Sequence, residues 1–137
     1  MAKSKKSKSQ LARAMVNDAD IETGNFTPTQ RQCLYWFNVI NREIFNEKLP
    51  RFESIEIKSC RYFWGECNGT IDIDGNYFCS LILNNKFRNR KHFIEILSHE
   101  MVHSYQWCIR NQMSHGKTFF KWKSKLEKFG ITLSLGS

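Results

Sequence analysis

The sequence predicts an α+β domain with an N-terminal helix, a small and mainly antiparallel sheet, a long helix and a C-terminal helix. Three observations carry this expectation. Apolar residues recur at helical spacing over 28–46, 90–110 and 117–129; short β-prone runs broken by Gly, Asn and Asp lie between the first two; and residues 1–26 follow neither period. A chain of 137 residues suits one domain, and eleven Phe, four Trp and four Tyr supply bulky core material.

Residues 1–26 read as a basic, disordered tail ahead of a domain at 27–137. The net charge is +8, and Lys3, Lys5, Lys6, Lys8 and Arg13 contribute five of those charges with no acid among residues 1–13. Such a segment grips polyanions with little regard to sequence, so DNA is an expected partner through Lys3, Lys5, Lys6 and Lys8. The start lacks the apolar core of a secretory signal, which predicts an intracellular protein, cytoplasmic or DNA-associated, and in the host cytoplasm for a viral source. No apolar run approaches the twenty residues of a membrane span, so no membrane partner is expected. Cys33, Cys60, Cys67, Cys79 and Cys108 are an odd number without a CxxC pair, which reads as reduced thiols and excludes a cysteine zinc ribbon.

The first helix is expected over 28–46. Thr27 would cap it, with Pro28 at the first helical position and Gln30 three residues after the cap. Cys33, Phe37, Ile40 and Ile44, flanked by Leu34 and Trp36, form its core face, and Leu49-Pro50 stops it. Strands follow at 54–58, 61–64, 70–74 and 77–83, with turns at Asn68-Gly69 and Asp74-Gly75-Asn76. The second helix should span 90–110 with Asn89 as its cap. A third is expected over 117–129, closed by Gly130, with Phe119, Trp122, Leu126 and Phe129 inward. Its outer stripe of Lys117, Lys121, Lys125 and Lys128 is a solvated face or a second nucleic-acid contact.

The second helix carries His99-Glu100-Met101-Val102-His103. Histidines four apart share one helix side, so both imidazoles reach one ion. Glu100 sits one step round, off the ion but near a water that the ion activates, and can serve as general base. A hydrolytic zinc also needs a third protein ligand and an open position. His115 supplies it, because Asn111 to Ser114 is long enough to fold back and Gly116 permits a sharp turn. His92 lies about 10 Å along the axis from His99, too far to share the ion, and reads as a surface or cleft residue. Gln106, on the ligand face, is placed against substrate or a ligand's second nitrogen, and Trp107 in the substrate cleft. Tyr105 is expected in the core, and Cys108 as a small hydrophobe rather than a nucleophile. The 77–83 strand is the candidate cleft edge for an extended peptide.

These residues resemble the SprT-like metallopeptidases, the group that includes the Spartan protease, over about residues 30–130. Asn41, Phe45 and Leu49-Pro50 look like the family's opening helix, Gly65 like its sheet glycine, and His115-Gly116 with Phe119 or Phe120 like its third-ligand segment. The resemblance implies a zincin-like fold and one Zn²⁺ on His99, His103 and His115. It further implies a protease with Glu100 as general base, acting on proteins bound or crosslinked to DNA. Many relatives carry a cysteine zinc ribbon after the protease domain, which this sequence lacks, so the Lys-rich N-terminus is its expected substitute. Two other readings compete: a zinc peptidase of the same fold with non-DNA targets, and a nucleic-acid-binding module with a mainly structural zinc. Glu100 argues against the last, because a structural site closes its fourth position and needs no base.

Overall fold

The computed structural model describes residues 22–133. Strand β1 (Glu22–Phe26) and helix α1 (Gln30–Ile44) come first, then β2 (Ile55–Lys58), β3 (Gly65–Ile71), β4 (Tyr77–Asn84) and β5 (Phe87–Asn89). Helices α2 (Arg90–Arg110), α3 (Lys117–Phe120) and α4 (Lys123–Lys128) complete the chain. The class is α+β, as the sequence predicts. No helix among the described residues is long and apolar enough to cross a membrane.

The fold starts earlier than Thr27, because β1 pairs antiparallel with β5, Glu22 opposite Asn89 and Phe26 opposite Phe87. α1 is capped two residues later than expected. Thr29 Oγ1 accepts from the Gln32 N–H at 3.1 Å and Gln32 Oε1 accepts from the Thr29 N–H at 2.9 Å, so the same Thr-x-x-Gln pattern works two residues further on. Cys33, Trp36, Phe37, Ile40 and Ile44 are buried, whereas Leu34 faces outward. After Phe45, Asn46 and Glu47 take positive φ, and Asn41 holds the returning chain through both the N–H and the carbonyl of Leu49.

The main sheet has the order β2-β4-β3 and is mixed, not mainly antiparallel. β3 and β4 form a hairpin from Gly65 opposite Leu83 to Ile71 opposite Tyr77, while β2 runs parallel to β4 from Ile55 opposite Leu81. The chain leaves β2, crosses the end of β4 at residues 59–64 and returns through the hairpin, so no strand forms at 61–64. Asn84 Nδ2 pins the crossing by donating to the carbonyls of Cys60 and Phe63 at 2.9 and 3.2 Å. Asn68-Gly69 lies within β3 instead of turning. Gly69 is needed there because a Cβ would stand 2.6 Å from the Trp107 ring. The turn falls at 72–76, where the Asp72 carboxylate accepts from the N–H groups of Asp74 and Asn76, both at 2.9 Å.

α2 lies across β3 and β4 with α1 beside it. It begins at Asn89, whose side chain accepts from the His92 N–H, and ends at Asn111 in the left-handed conformation. It is buried on nearly every side from His92 to Gln106, which suits a central helix better than an amphipathic surface one. The predicted third helix is broken at Lys121-Trp122 into α3 and α4. Gly130, at φ 91°, closes it, and the Ile131 N–H returns to the Leu126 carbonyl at 2.9 Å.

Candidate metal centre

His99 and His103 project from one side of α2, buried at 0% and 7% exposure. Beyond Asn111 the chain reverses, and exposed residues 111–116 carry His115 back over them. His115 Nε2 lies 3.0 Å from His103 Nε2 and 3.3 Å from His99 Nε2. Three nitrogens about 2.0–2.1 Å from one tetrahedral ion lie roughly 3.3–3.4 Å apart, so this cluster has the dimensions of a three-histidine site. His99, His103 and His115 could therefore hold a metal ion. Three imidazoles suit zinc and comparable divalent ions, not calcium or magnesium.

The support behind the ligands is specific. Phe119, fully buried on α3, touches all three imidazoles, with ring centres 4.9 Å from His99, 5.0 Å from His103 and 4.9 Å from His115. Gln106 is also fully buried, and its Oε1 lies 2.9 Å from His103 Nδ1. Burial pushes the His103 pKa down; the hydrogen bond to Gln106 opposes this and the charge of His115 adds to it, a balance that favours the neutral imidazole a metal needs.

Glu100 opens onto the same space. It is 2% exposed, and its Oε2 lies 3.9 Å from His99 Nε2. Together with His103, His115, Phe63, Gly65 and Cys67 it lines a cleft of about 350 Å³. Gly65 lets β3 approach closely, since a Cβ there would stand 2.8 Å from Ile96 and 3.3 Å from the Glu100 side chain. The strand bordering the cleft is β3, not the 77–83 strand; β4 is the central strand, bonded on both sides, whereas among the described residues β3 is bonded to β4 alone. A three-histidine cluster able to hold a metal ion thus adjoins a cleft lined by a buried carboxylate and by the 65–67 end of an edge strand.

Other expected positions fall differently. His92 is neither surface nor cleft: it is buried against Trp64 and Phe87, with Nδ1 accepting from the Arg88 N–H at 3.2 Å. Gln106 is sealed from the cleft, so it meets the ligand's second nitrogen and not substrate. Trp107 leaves the cleft altogether, lying on Gly69 with its Nε1 donating to the Thr70 carbonyl at 3.1 Å. Tyr105 packs between Phe45 and Trp122. Contact with Cys79, then burial, raises the Cys108 pKa and keeps that thiol protonated. Lys117, Lys121, Lys125 and Lys128 are exposed, although the Lys125 ammonium also reaches the Ile44 carbonyl at 3.3 Å. Lys3, Lys5, Lys6 and Lys8 lie outside the described residues.

The fold also assembles a denser cationic corner from two separate runs of the sequence. Residues 57–65 and 77–94 contain Lys58, Arg61, Lys86, Arg88, Arg90 and Lys91 and no acid. Asn84 ties the 59–64 crossing to the end of β4, and Trp64 packs on Phe87 of β5, bringing the two runs together. Lys58 is paired with Glu56 at 3.6 Å, while Arg61, Lys86, Arg88 and Arg90 are exposed. Tyr62, 86% exposed beneath the Arg61 guanidinium, stands next to the cleft-lining Phe63. The acid-free runs were the available signal.

The model of the SprT-like family matches residues 34–134, a span that includes α2, all three histidines and Glu100. No curated protein matches the sequence.

Proposed function

The chain belongs to the SprT-like family, and on that premise we propose that it is a zinc-dependent endopeptidase acting on proteins bound or crosslinked to DNA. The observation that carries the peptidase reading is the convergence of three histidine Nε2 atoms beside buried Glu100, in a cleft bordered by a free strand edge. Held by His99, His103 and His115, the ion would lower the pKa of a water and polarise the scissile carbonyl. Glu100 would take a proton from the attacking water and return it to the departing amine nitrogen. β3 holds an extended substrate by backbone pairing along its free edge, a mode that favours unfolded or flexible segments. A purely structural ion is disfavoured, since His115 closes the cluster from an exposed loop and the cleft stays open in front of Glu100.

The DNA part of the reading is supported by charge. The cationic corner adjoins the cleft through Phe63. β1 enters the fold with Glu22 opposite Asn89, which lies between Arg88 and Arg90 in the chain.

The test is a paired assay of the wild type and Glu100→Gln, following zinc content and cleavage of a DNA-binding protein with and without single- or double-stranded DNA. Cleavage should fall by about 10²–10⁴-fold in Glu100→Gln with zinc unchanged. DNA should raise the wild-type rate, and an Arg61→Glu, Lys86→Glu double variant should bind DNA more weakly with a shallower salt dependence. Wild type that binds zinc yet cleaves nothing under any condition overturns the peptidase. Cleavage indifferent to DNA leaves a peptidase with other targets.

A further inference from the structure

We propose that Gln106 is the positioning residue of the metal centre: its one side-chain oxygen fixes the tautomer of His103 and holds down the loop that delivers His115. The inference rests on the reading of the three histidines as a metal site.

α2 supplies only two ligands. The third comes from residues 111–116, exposed throughout, so burial does nothing to fix His115 over the site. Gln106 lies three residues beyond His103 on the same side of α2 and is fully buried. The oxygen and nitrogen of a glutamine amide are ordinarily assigned from their partners. Here the partner leaves no choice. The Ser114 backbone N–H can only donate, so the amide atom 3.2 Å from it must be the oxygen. That same oxygen lies 2.9 Å from His103 Nδ1, which must therefore carry the imidazole proton. His103 Nε2 is left with its lone pair toward His99 and His115. The opposite tautomer would aim an N–H at the ion, and no bond could form.

The amide nitrogen completes the grip by donating to Thr118 Oγ1 on α3 at 2.9 Å. Ser114 and Thr118 bracket His115, so one side chain clasps the chain before and after the third ligand. The backbone carbonyl of Gln106 adds a bond from the Gln112 N–H at 3.1 Å, where the loop leaves the helix. Second ligand, third-ligand loop and the helix of Phe119 are thus held by one residue.

The experiment uses the full chain as wild type, Gln106→Leu and Gln106→Glu. Zinc affinity is measured by competition with a chromophoric chelator, and the imidazole tautomers by ¹⁵N NMR of the metal-free proteins. Wild-type His103 should carry its proton on Nδ1. Gln106→Leu should lose about 10–100-fold in zinc affinity and show mixed His103 tautomers. Gln106→Glu keeps the accepting oxygen and replaces the amide nitrogen with a second acceptor, which can take a hydrogen bond from the Thr118 hydroxyl, so it should recover most of the affinity. A proton on Nε2 of wild-type His103, or equal zinc affinity in wild type and Gln106→Leu, overturns the inference. Wild type that binds no zinc refutes the metal site, while the tautomer still judges the clasp.

Discussion

His92 and His99 lie seven residues apart on one helix and have opposite roles. Each is buried, but His99 meets His115 behind the cleft, with Nε2 atoms 3.3 Å apart, while His92 is wedged edge-on against Trp64 and Phe87. Burial, then the charge of Arg88, pushes the His92 pKa down from 6.5 to about 4. In the unfolded chain it takes a proton near its ordinary value, so between those limits the unfolded state binds more protons. Stability from the neutral imidazole is complete above about pH 6.5 and is lost as pH falls toward 4, at up to about 1.4 kcal/mol per pH unit. Urea unfolding between pH 7.5 and 4.5 should show this slope, and His92→Asn, which can still accept from Arg88, should flatten it. The pairing of His99 with His103 was legible because a four-residue spacing is a local property of a helix. The place of His92 was not, because Trp64 and Phe87 reach it from elsewhere in the chain. Gln106 falls between: its face could be read, its clasp on Ser114 and Thr118 could not.

Helix limits followed closely from caps and apolar spacing, α2 most of all, since it spans Arg90–Arg110 with Asn89 as its cap. Strands were harder. A glycine reads as a turn, yet Gly69 stays in β3 because the Trp107 ring occupies the space of a side chain. Strand order depends on how the 59–64 crossing passes β4, which no single segment encodes, and so the cleft edge was assigned to β4 instead of β3. Gly65 connects this element to the chemistry. Gly65→Ala places a methyl 2.8 Å from Ile96 and 3.3 Å from the Glu100 side chain, both packed against the helix. We expect a loss of about 1–3 kcal/mol in equilibrium unfolding. Cleavage should fall further than stability explains, because β3 moves away from Glu100; unchanged turnover in folded Gly65→Ala would show that the strand's distance does not matter.

For the molecule as a whole, the α+β class and the helix-borne motif were open to sequence reasoning, whereas the mixed sheet, the β1–β5 ribbon and the cationic corner required long-range contacts. The placing of His115 has one more consequence. It lies twelve residues after His103 and sixteen after His99, so an ion shared among them would close a ring in the polypeptide. Such an ion works as a reversible cross-link, removing freedom from the unfolded chain; a covalent closure of similar size contributes about 3 kcal/mol. A chelator should therefore lower Tm by several degrees, to an extent set by free zinc, and expose residues 111–116 to proteolysis before α2 unwinds. An unchanged Tm after complete zinc removal would contradict this. Metal supply would then govern how long the chain stays folded as well as what its histidine site can do, so that zinc starvation would act on the amount of folded protein.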